Sequence, residues 1–416
     1  MSRRVRVPSL LGEDGTLRRP APPRREGDDR RRFLFTVPPL PGHVAPTVAV
    51  GAELARRGHK VAWAGHRATL ERLLRRGSMI FTAEDDALGP RLERARREWL
   101  GLRGPAALRF LWEELIVPLG EATLPGVRTA IKRFHPDVVV SDQHALAGAV
   151  AARSADLPWA TSAVTSAEFA RPLAALPRVE EWVRDLIGDF QAGHGIGDPL
   201  DPRFSDHLVL AFTTGGLIGD TSVFPDHFAF VGPVRARPSG GDFPWPWLDE
   251  GGDRPVVLVD LGETDGPAGE RFCRTAAEAV RDLDARAVIV APPGAVPEPP
   301  GNVLVRERVP GAALLRRASA VVTLGDHGHV CEALADGVPL VVAPVRADQP
   351  VVAGQVARAG AGVTVRYGRV RTGELRSALG TVLGDPGFAD AAARVGASFT
   401  AAGGAAEAAD RLEKLA

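Results

Sequence analysis

Cysteine, methionine and tyrosine are scarce: the 416 residues hold two, two and one of them. Cys273 and Cys331 stand far apart and form no metal-binding spacing. They read as small buried hydrophobes in a reducing cytoplasm, and neither a metal nor a cofactor is expected. An excess of either charge is also missing. Lys and Arg total 51 and Asp and Glu total 51, so neither nucleic acid nor anionic lipid is indicated as a partner. No apolar run reaches the roughly 20 residues that span a bilayer, so stable membrane insertion is not expected. The first 32 residues lack the apolar stretch of a signal peptide. With ten Arg and five acids they read as a disordered basic tail or as a start assigned too early.

What is present is apolar, β-branched and regularly spaced. A chain of this length calls for about two domains. Phe33–Val37 reads as a first strand, the Pro/Gly-rich stretch Pro38–His43 as a loop, and Val48–Ala55 as a helix that stops at Gly58. Val61–Ala64 follows as a second strand, which completes one right-handed βαβ unit. Val138–Ser141 reads as a buried parallel strand followed by a helix over 145–155. The second half repeats the pattern with strands at Val256–Val259, Ala287–Val290, Ala320–Thr323 and Leu340–Ala343, and a helix over 272–283. Pro and Gly crowd residues 235–254 and mark the boundary. The expected division is a tail over 1–32, an N-terminal domain over 33–236, a linker over 237–253, a C-terminal domain over 254–398, and a last helix over 399–416 that packs back on the first domain. Two facing doubly wound sheets place ligands in the cleft between them, beyond the carboxyl ends of the strands.

Several post-strand stretches carry a resemblance in order and spacing. They are Phe35–Val44 with Pro46-Thr47, Pro136–Gln143, Val309–Leu315, Cys331–Leu334, Gly337–Leu340, Asp348-Gln349-Pro350 and Gly360-Ala361-Gly362. Together they span roughly residues 33–412, and the set resembles the family 1 nucleotide-sugar-dependent glycosyltransferases of bacterial secondary metabolism. The resemblance implies an α/β fold of the GT-B type, two Rossmann-like doubly wound domains facing across a cleft. It also implies an inverting hexosyltransferase that moves a sugar from a UDP- or dTDP-sugar donor to a hydroxyl of a small hydrophobic acceptor, in antibiotic biosynthesis.

On the acceptor side, His43 follows the first strand, and its type suits a base that removes the hydroxyl proton near neutral pH. Asp142 follows another strand and can hold one imidazole nitrogen while stabilising the charged ring. The resemblance assigns catalysis to these two positions. His59 reads as a loop or capping residue. His144 lies two residues beyond Asp142, as a pocket wall or as the surface residue of a helix start. The span 84–130, with Trp99, Leu102, Phe110, Leu111 and Trp112, is expected to shape the acceptor pocket.

On the donor side, the resemblance places the diphosphate at the start of a helix near Gly328, held without a protein-bound metal. It assigns Glu332 to the ribose, Asp348 and Gln349 to sugar hydroxyls, and Arg308 to stacking beside the base. The loop departs from the family pattern. Leu324 replaces a phosphate-contacting His, Asp326 replaces a Gly, and His329 replaces a Thr, while Glu263 adds a further acid after the strand at Val256. Asp326 in this position is expected either to repel a dianion or to cap the helix itself. His327, Gly328 and His329 are then the donor-binding candidates, with either His able to offset the acids. On this reading, Leu324→His with Asp326→Gly should strengthen diphosphate binding. The alternative is a GT-B scaffold that has lost nucleotide-sugar use and serves as an auxiliary partner or in a non-glycosyl reaction. Homodimerisation or a partner enzyme is left open.

Overall fold

The computed structural model describes residues 30–83, 88–170, 177–197, 200–234, 242–262 and 266–416. The tail, Glu263 and part of the expected linker therefore lie outside the described residues. Seven strands form the first sheet: β1 (Arg32–Thr36), β2 (Lys60–Gly65), β3 (Met79–Thr82), β4 (Val138–Asp142), β5 (Trp159–Ala163), β6 (Leu208–Ala211) and β7 (Phe228–Phe230). Their order is β3-β2-β1-β4-β5-β6-β7, parallel throughout. Six more form the second: β8 (Val256–Asp260), β9 (Arg286–Val290), β10 (Val303–Arg306), β11 (Ala320–Thr323), β12 (Leu340–Val342) and β13 (Gly362–Thr364). They run β10-β9-β8-β11-β12-β13, again parallel. In both sheets the order reverses beside the first strand of the half, which is the switch point where doubly wound sheets open a crevice.

The apolar runs become strands because helices cover both faces. β1 and β4 expose almost nothing: Phe33, Leu34, Val138 and Val139 are at 0%. Close approach of a helix to this sheet requires a missing side chain. A Cβ on Gly148, in the helix Leu146–Ser154, would lie 1.9 Å from Thr36 Oγ1 and 2.4 Å from Ser141 Oγ. The first helix begins earlier than its sequence indicated. Pro41 occupies its first turn, where a missing N–H costs nothing, so the helix runs Pro41–Arg56 and the expected loop is only Val37–Leu40.

The described part of the expected linker is not free chain. Phe243 and Leu248, the latter in the short helix Trp245–Asp249, are buried with Val256, Val288 and Leu314 in the second domain's core. At the other end, the helix Gly404–Leu415 leaves the second domain and lies against Pro41–Arg56. Ala408, Ala409 and Leu412 are fully buried in the first domain's core, and Arg57 pairs with Asp410 and Glu413. His59 joins this clasp through Glu413 at 2.7 Å and accepts the Arg31 N–H. The two chain crossings touch: the Gly404 N–H donates to the Val231 carbonyl at 2.7 Å. Among the described residues no helix is long and apolar enough to cross a membrane.

Candidate active site

β1 and β4 are parallel neighbours with Thr36 opposite Ser141, so the residues that follow β1 and end β4 emerge side by side. This register brings together two residues 99 positions apart. His43 sits in the first turn of Pro41–Arg56 and Asp142 ends β4. His43 Nδ1 lies 2.9 and 3.0 Å from the two Asp142 oxygens, and Asp142 Oδ1 also accepts the His144 N–H at 2.9 Å. Asp142 is buried, while His43 keeps 15% of its side chain exposed and lines the cleft. With Nδ1 engaged, Nε2 is the nitrogen left for a bound molecule. Burial works against a charged ring, but Asp142, helped by Asp348 and Glu168, outweighs it and raises the His43 pKa above 6.5.

A second layer supports the pair: His144, which lines the cleft as one of its two sequence readings had it, with Glu168 and Arg203, which the sequence did not indicate. His144 is buried, its ring 4.9 Å from that of His43, with Nε2 3.5 Å from Glu168 Oε1. Its Nδ1 is buried and has no hydrogen-bond partner among the described residues. Burial would raise the Glu168 pKa, yet His144 and Arg203, the latter at 2.8 Å, bring it down to about 2. Arg203 in turn pairs with Asp201 and lies 5.4 Å over the Trp112 ring. One donor atom each from His43, Asp142 and His144 falls within 4.8 Å of the others, a grouping that the cysteine-based search for metal spacings does not detect.

The cleft encloses about 1820 Å³ and is walled by both domains. Trp99, Leu111 and Trp112 line it as expected from the span 84–130; Leu102 and Phe110 are not among the lining residues. Trp182, Phe169, Phe224 and Phe228 complete an aromatic wall, with the Phe169 and Phe224 rings edge-on at 5.6 Å. Across from it, Arg346 of the second domain donates to the Leu100 carbonyl at 2.9 Å and stands 5.5 Å over Trp99.

The opposite wall starts at the helix His327–Ala335, which follows β11. Asp326 occupies its N-cap position but makes no side-chain capping bond; its Oδ1 accepts from Gln349 Nε2 at 3.2 Å. The expectation that Asp326 caps the helix is therefore corrected. His327 is corrected as a source of positive charge. Its ring is buried, with Nε2 against the Phe212 carbonyl at 3.3 Å, and burial pushes its pKa down to about 4. His329 is the exposed one. Burial against the cleft opposes its charge, but Asp260, Asp326 and Glu332 outweigh it and raise its pKa. Gly262 explains how His329 and Asp326 converge: it turns at φ +58, and a Cβ there would meet the His329 ring at 3.2 Å and Asp326 Oδ2 at 3.7 Å. Gly328 is exposed in the same turn.

Leu324 is 1% exposed inside the second domain's core with Val259, Phe272 and Val322. A His there would enter the core and not the phosphate site, which corrects the proposed restoration at that position. Gln349 lines the cleft but is already engaged by its own loop. Its Oε1 accepts the Val345 and Arg346 N–H groups at 2.9 and 3.0 Å, so its amide shapes the loop after β12. Asp348 faces the cleft, bonded to Thr165 across it at 2.7 Å. Burial and the neighbouring Asp326 raise its pKa to about 6. Glu332 is half-buried on the helix behind Asp326. Arg308 is exposed in the loop after β10 and is not among the residues lining the cleft.

Residues 274–415 match the model of the erythromycin biosynthesis protein CIII-like, C-terminal domain. The chain is 30% identical over 427 residues to 4'-demethylrebeccamycin synthase of Lentzea aerocolonigenes, covering 92% of this chain and 99% of the relative. Among solved structures, the glycotransferase of kitacinnamycin is similar with a TM-score of 0.76 and 26% identity, over 93% of this chain and 99% of that one. The spinosyn rhamnosyltransferase SpnG complexed with thymidine diphosphate is similar with a TM-score of 0.70 and 25% identity, over 92% and 100%.

Proposed function

The chain belongs to the bacterial glycosyltransferase family that includes 4'-demethylrebeccamycin synthase, with the GT-B fold, and from that premise we propose how its own residues carry the transfer. The acceptor is a small hydrophobic natural product, seated against Trp99, Trp112, Trp182 and Phe169 with one hydroxyl at His43. The donor is a UDP- or dTDP-sugar whose diphosphate meets the start of the helix His327–Ala335. His43 Nε2 takes the hydroxyl proton as the acceptor oxygen attacks the anomeric carbon. The bond from that carbon to the diphosphate breaks on the opposite face, which inverts the centre, and the nucleoside diphosphate leaves with the electron pair. Asp142 fixes the ring through Nδ1 and stabilises the imidazolium.

On the donor side, Asp348 takes sugar hydroxyls, Glu332 the ribose, and His329 the charge of the leaving diphosphate. Gly328 leaves the helix start open to the phosphates, and Arg308 is the candidate beside the base. The place of action is the cytoplasm, where the buried thiols of Cys273 and Cys331 stay reduced. The observation that carries the reading is the His43–Asp142 pair at 2.9 Å in a cleft shared with the second domain's helix start. The test is mass spectrometry of reactions with UDP- and dTDP-hexoses and a panel of hydroxylated polycyclic acceptors. A hexose increment that disappears in His43→Ala is expected. Wild-type protein that neither glycosylates the panel nor binds either nucleotide by calorimetry would overturn it.

A further inference from the structure

We propose that His43, Asp142 and His144 form a binding site for a borderline divalent transition metal, Zn2+ foremost, and that its occupation silences the base. The binding half stands on side-chain geometry alone; the silencing half rests on His43 being the base, as proposed above.

Three observations support the site. One donor atom from each of the three residues lies within 4.8 Å of the others. Ligands on a tetrahedral zinc sit about 3.3 Å apart, so the set closes by movements on the order of 1 Å. His144 Nδ1 is buried without a hydrogen-bond partner among the described residues, on a residue 6% exposed. A buried imidazole nitrogen with no partner carries a desolvation penalty that a metal ion would remove. The opposite nitrogen of His144 faces Glu168 at 3.5 Å, the carboxylate–histidine pairing that orients metal-ligating imidazoles.

Two imidazoles and one carboxylate match Zn2+ and its neighbours in the series, not the all-oxygen shells of Mg2+ or Ca2+. The walls are apolar, with Trp112 edge-on to His144 at 6.3 Å, while Asp142, Glu168 and Asp348 supply compensating charge. His43 and His144 line the cleft, the side from which an ion would enter.

Inhibition follows from proton placement. His43 meets Asp142 through Nδ1, so a metal at that side takes the Nδ1 lone pair and displaces the proton held there. That proton passes through solvent to Nε2, so the ring stays neutral as its Nε2–H tautomer. That nitrogen has no lone pair with which to accept the hydroxyl proton.

The test uses chelator-treated full-length protein titrated with Zn2+ by calorimetry and with Co2+ by visible absorption. One equivalent per chain is expected, with the visible bands of low-coordinate Co2+. His144→Asn and Asp142→Asn should each weaken binding by at least about tenfold, and Glu168→Gln by about tenfold. Thermal melts confirm that each variant is folded, and Glu168→Gln leaves all three ligands in place if one of the others is not. Zn2+ should abolish transfer reversibly with chelator, whereas millimolar Mg2+ should leave the rate unchanged. Absence of binding, or affinity equal in wild type, His144→Asn and Asp142→Asn, would overturn the site. Binding that both ligand substitutions weaken and that leaves the rate intact would keep the site and sink the silencing half together with His43 as base.

Discussion

Asp142→Asn separates the charge of the catalytic pair from its shape. Asn is isosteric, and its oxygen can still accept from His43 Nδ1 and from the His144 N–H, both of which converge on Oδ1 at 2.9 Å. Only the negative charge is lost. A carboxylate about 4 Å from the centre of an imidazolium contributes about 4 kcal/mol at an effective dielectric near 20. A proton half transferred in the transition state feels about half of that, and poorer ring orientation adds to the loss. The expected fall in kcat is therefore on the order of 10², within the roughly 10²–10⁴ range of general-base catalysis. The pH profile should move as well. In the wild type, Asp142 holds the His43 pKa above 6.5 against burial, which lowers it. Without the carboxylate, burial dominates, the pKa falls, and the acidic limb of kcat shifts to lower pH while the plateau drops. Stability gives an independent sign. A group whose folded pKa is raised contributes stability that is present below its unfolded value and lost as pH rises through the folded one. The variant should thus be most destabilised below pH 6.5, with the deficit shrinking above it. Steady-state rates across pH, paired with thermal melts, read both effects. A plateau equal to wild type would refute the role given to Asp142.

Three further outcomes are expected. Asp348 has its pKa raised from 3.8 to about 6, so its contribution is favourable below 3.8 and is lost as pH rises through about 6. Asp348→Asn should therefore be more stable than wild type near pH 8 by up to about 3 kcal/mol in urea denaturation, with no gain near pH 4, while sugar transfer falls. Leu324→His should cost about 2–4 kcal/mol in the same assay and leave diphosphate affinity by calorimetry no stronger, because the residue is in the core. For His329, donor KM in the wild type should rise as pH climbs through its raised pKa; His329→Gln should flatten that profile at a KM about tenfold higher.

Strands with uninterrupted apolar runs were mostly legible, because burial on both faces leaves no polar position: β1, β2, β4, β8, β9, β11 and β12 all fall where such runs occur, while β6, an equally buried Leu-Val-Leu-Ala, was passed over. β5 reads Trp-Ala-Thr-Ser-Ala and was missed, since Thr161 and Ser162 are buried polar residues; Thr161 accepts from the Ser205 N–H and donates to the Arg203 carbonyl. His43 and Asp142 were legible from their places after two strands that a doubly wound order makes neighbours. Glu168 and Arg203 were not, because neither follows a recognisable strand and their pairing depends on side chains folding over the cleft. The two histidines of the donor loop were indistinguishable in sequence. Two positions along a helix turn the side chain by about 200°, which buries His327 under the Phe212 carbonyl and leaves His329 at the surface.

The contact between Gly404 and Val231 has a mechanical consequence. The polypeptide passes between the halves twice, once after Val234 and once near Gly403, and the two passages lie side by side at a 2.7 Å bond. Adjacent tethers act as a single door hinge: they permit swinging about one line and resist sliding or twisting of one half over the other. The contacts at the far lip, Thr165 with Asp348 and Arg346 with Leu100, act as the latch. A swing that released the latch would open the cleft, and its return would bring the same two surfaces back into the same alignment. Cutting the backbone before Gly404, with the last helix still docked on the first domain, would remove one tether. It should leave the two halves folded but free to misalign, a loss of turnover without loss of either sheet.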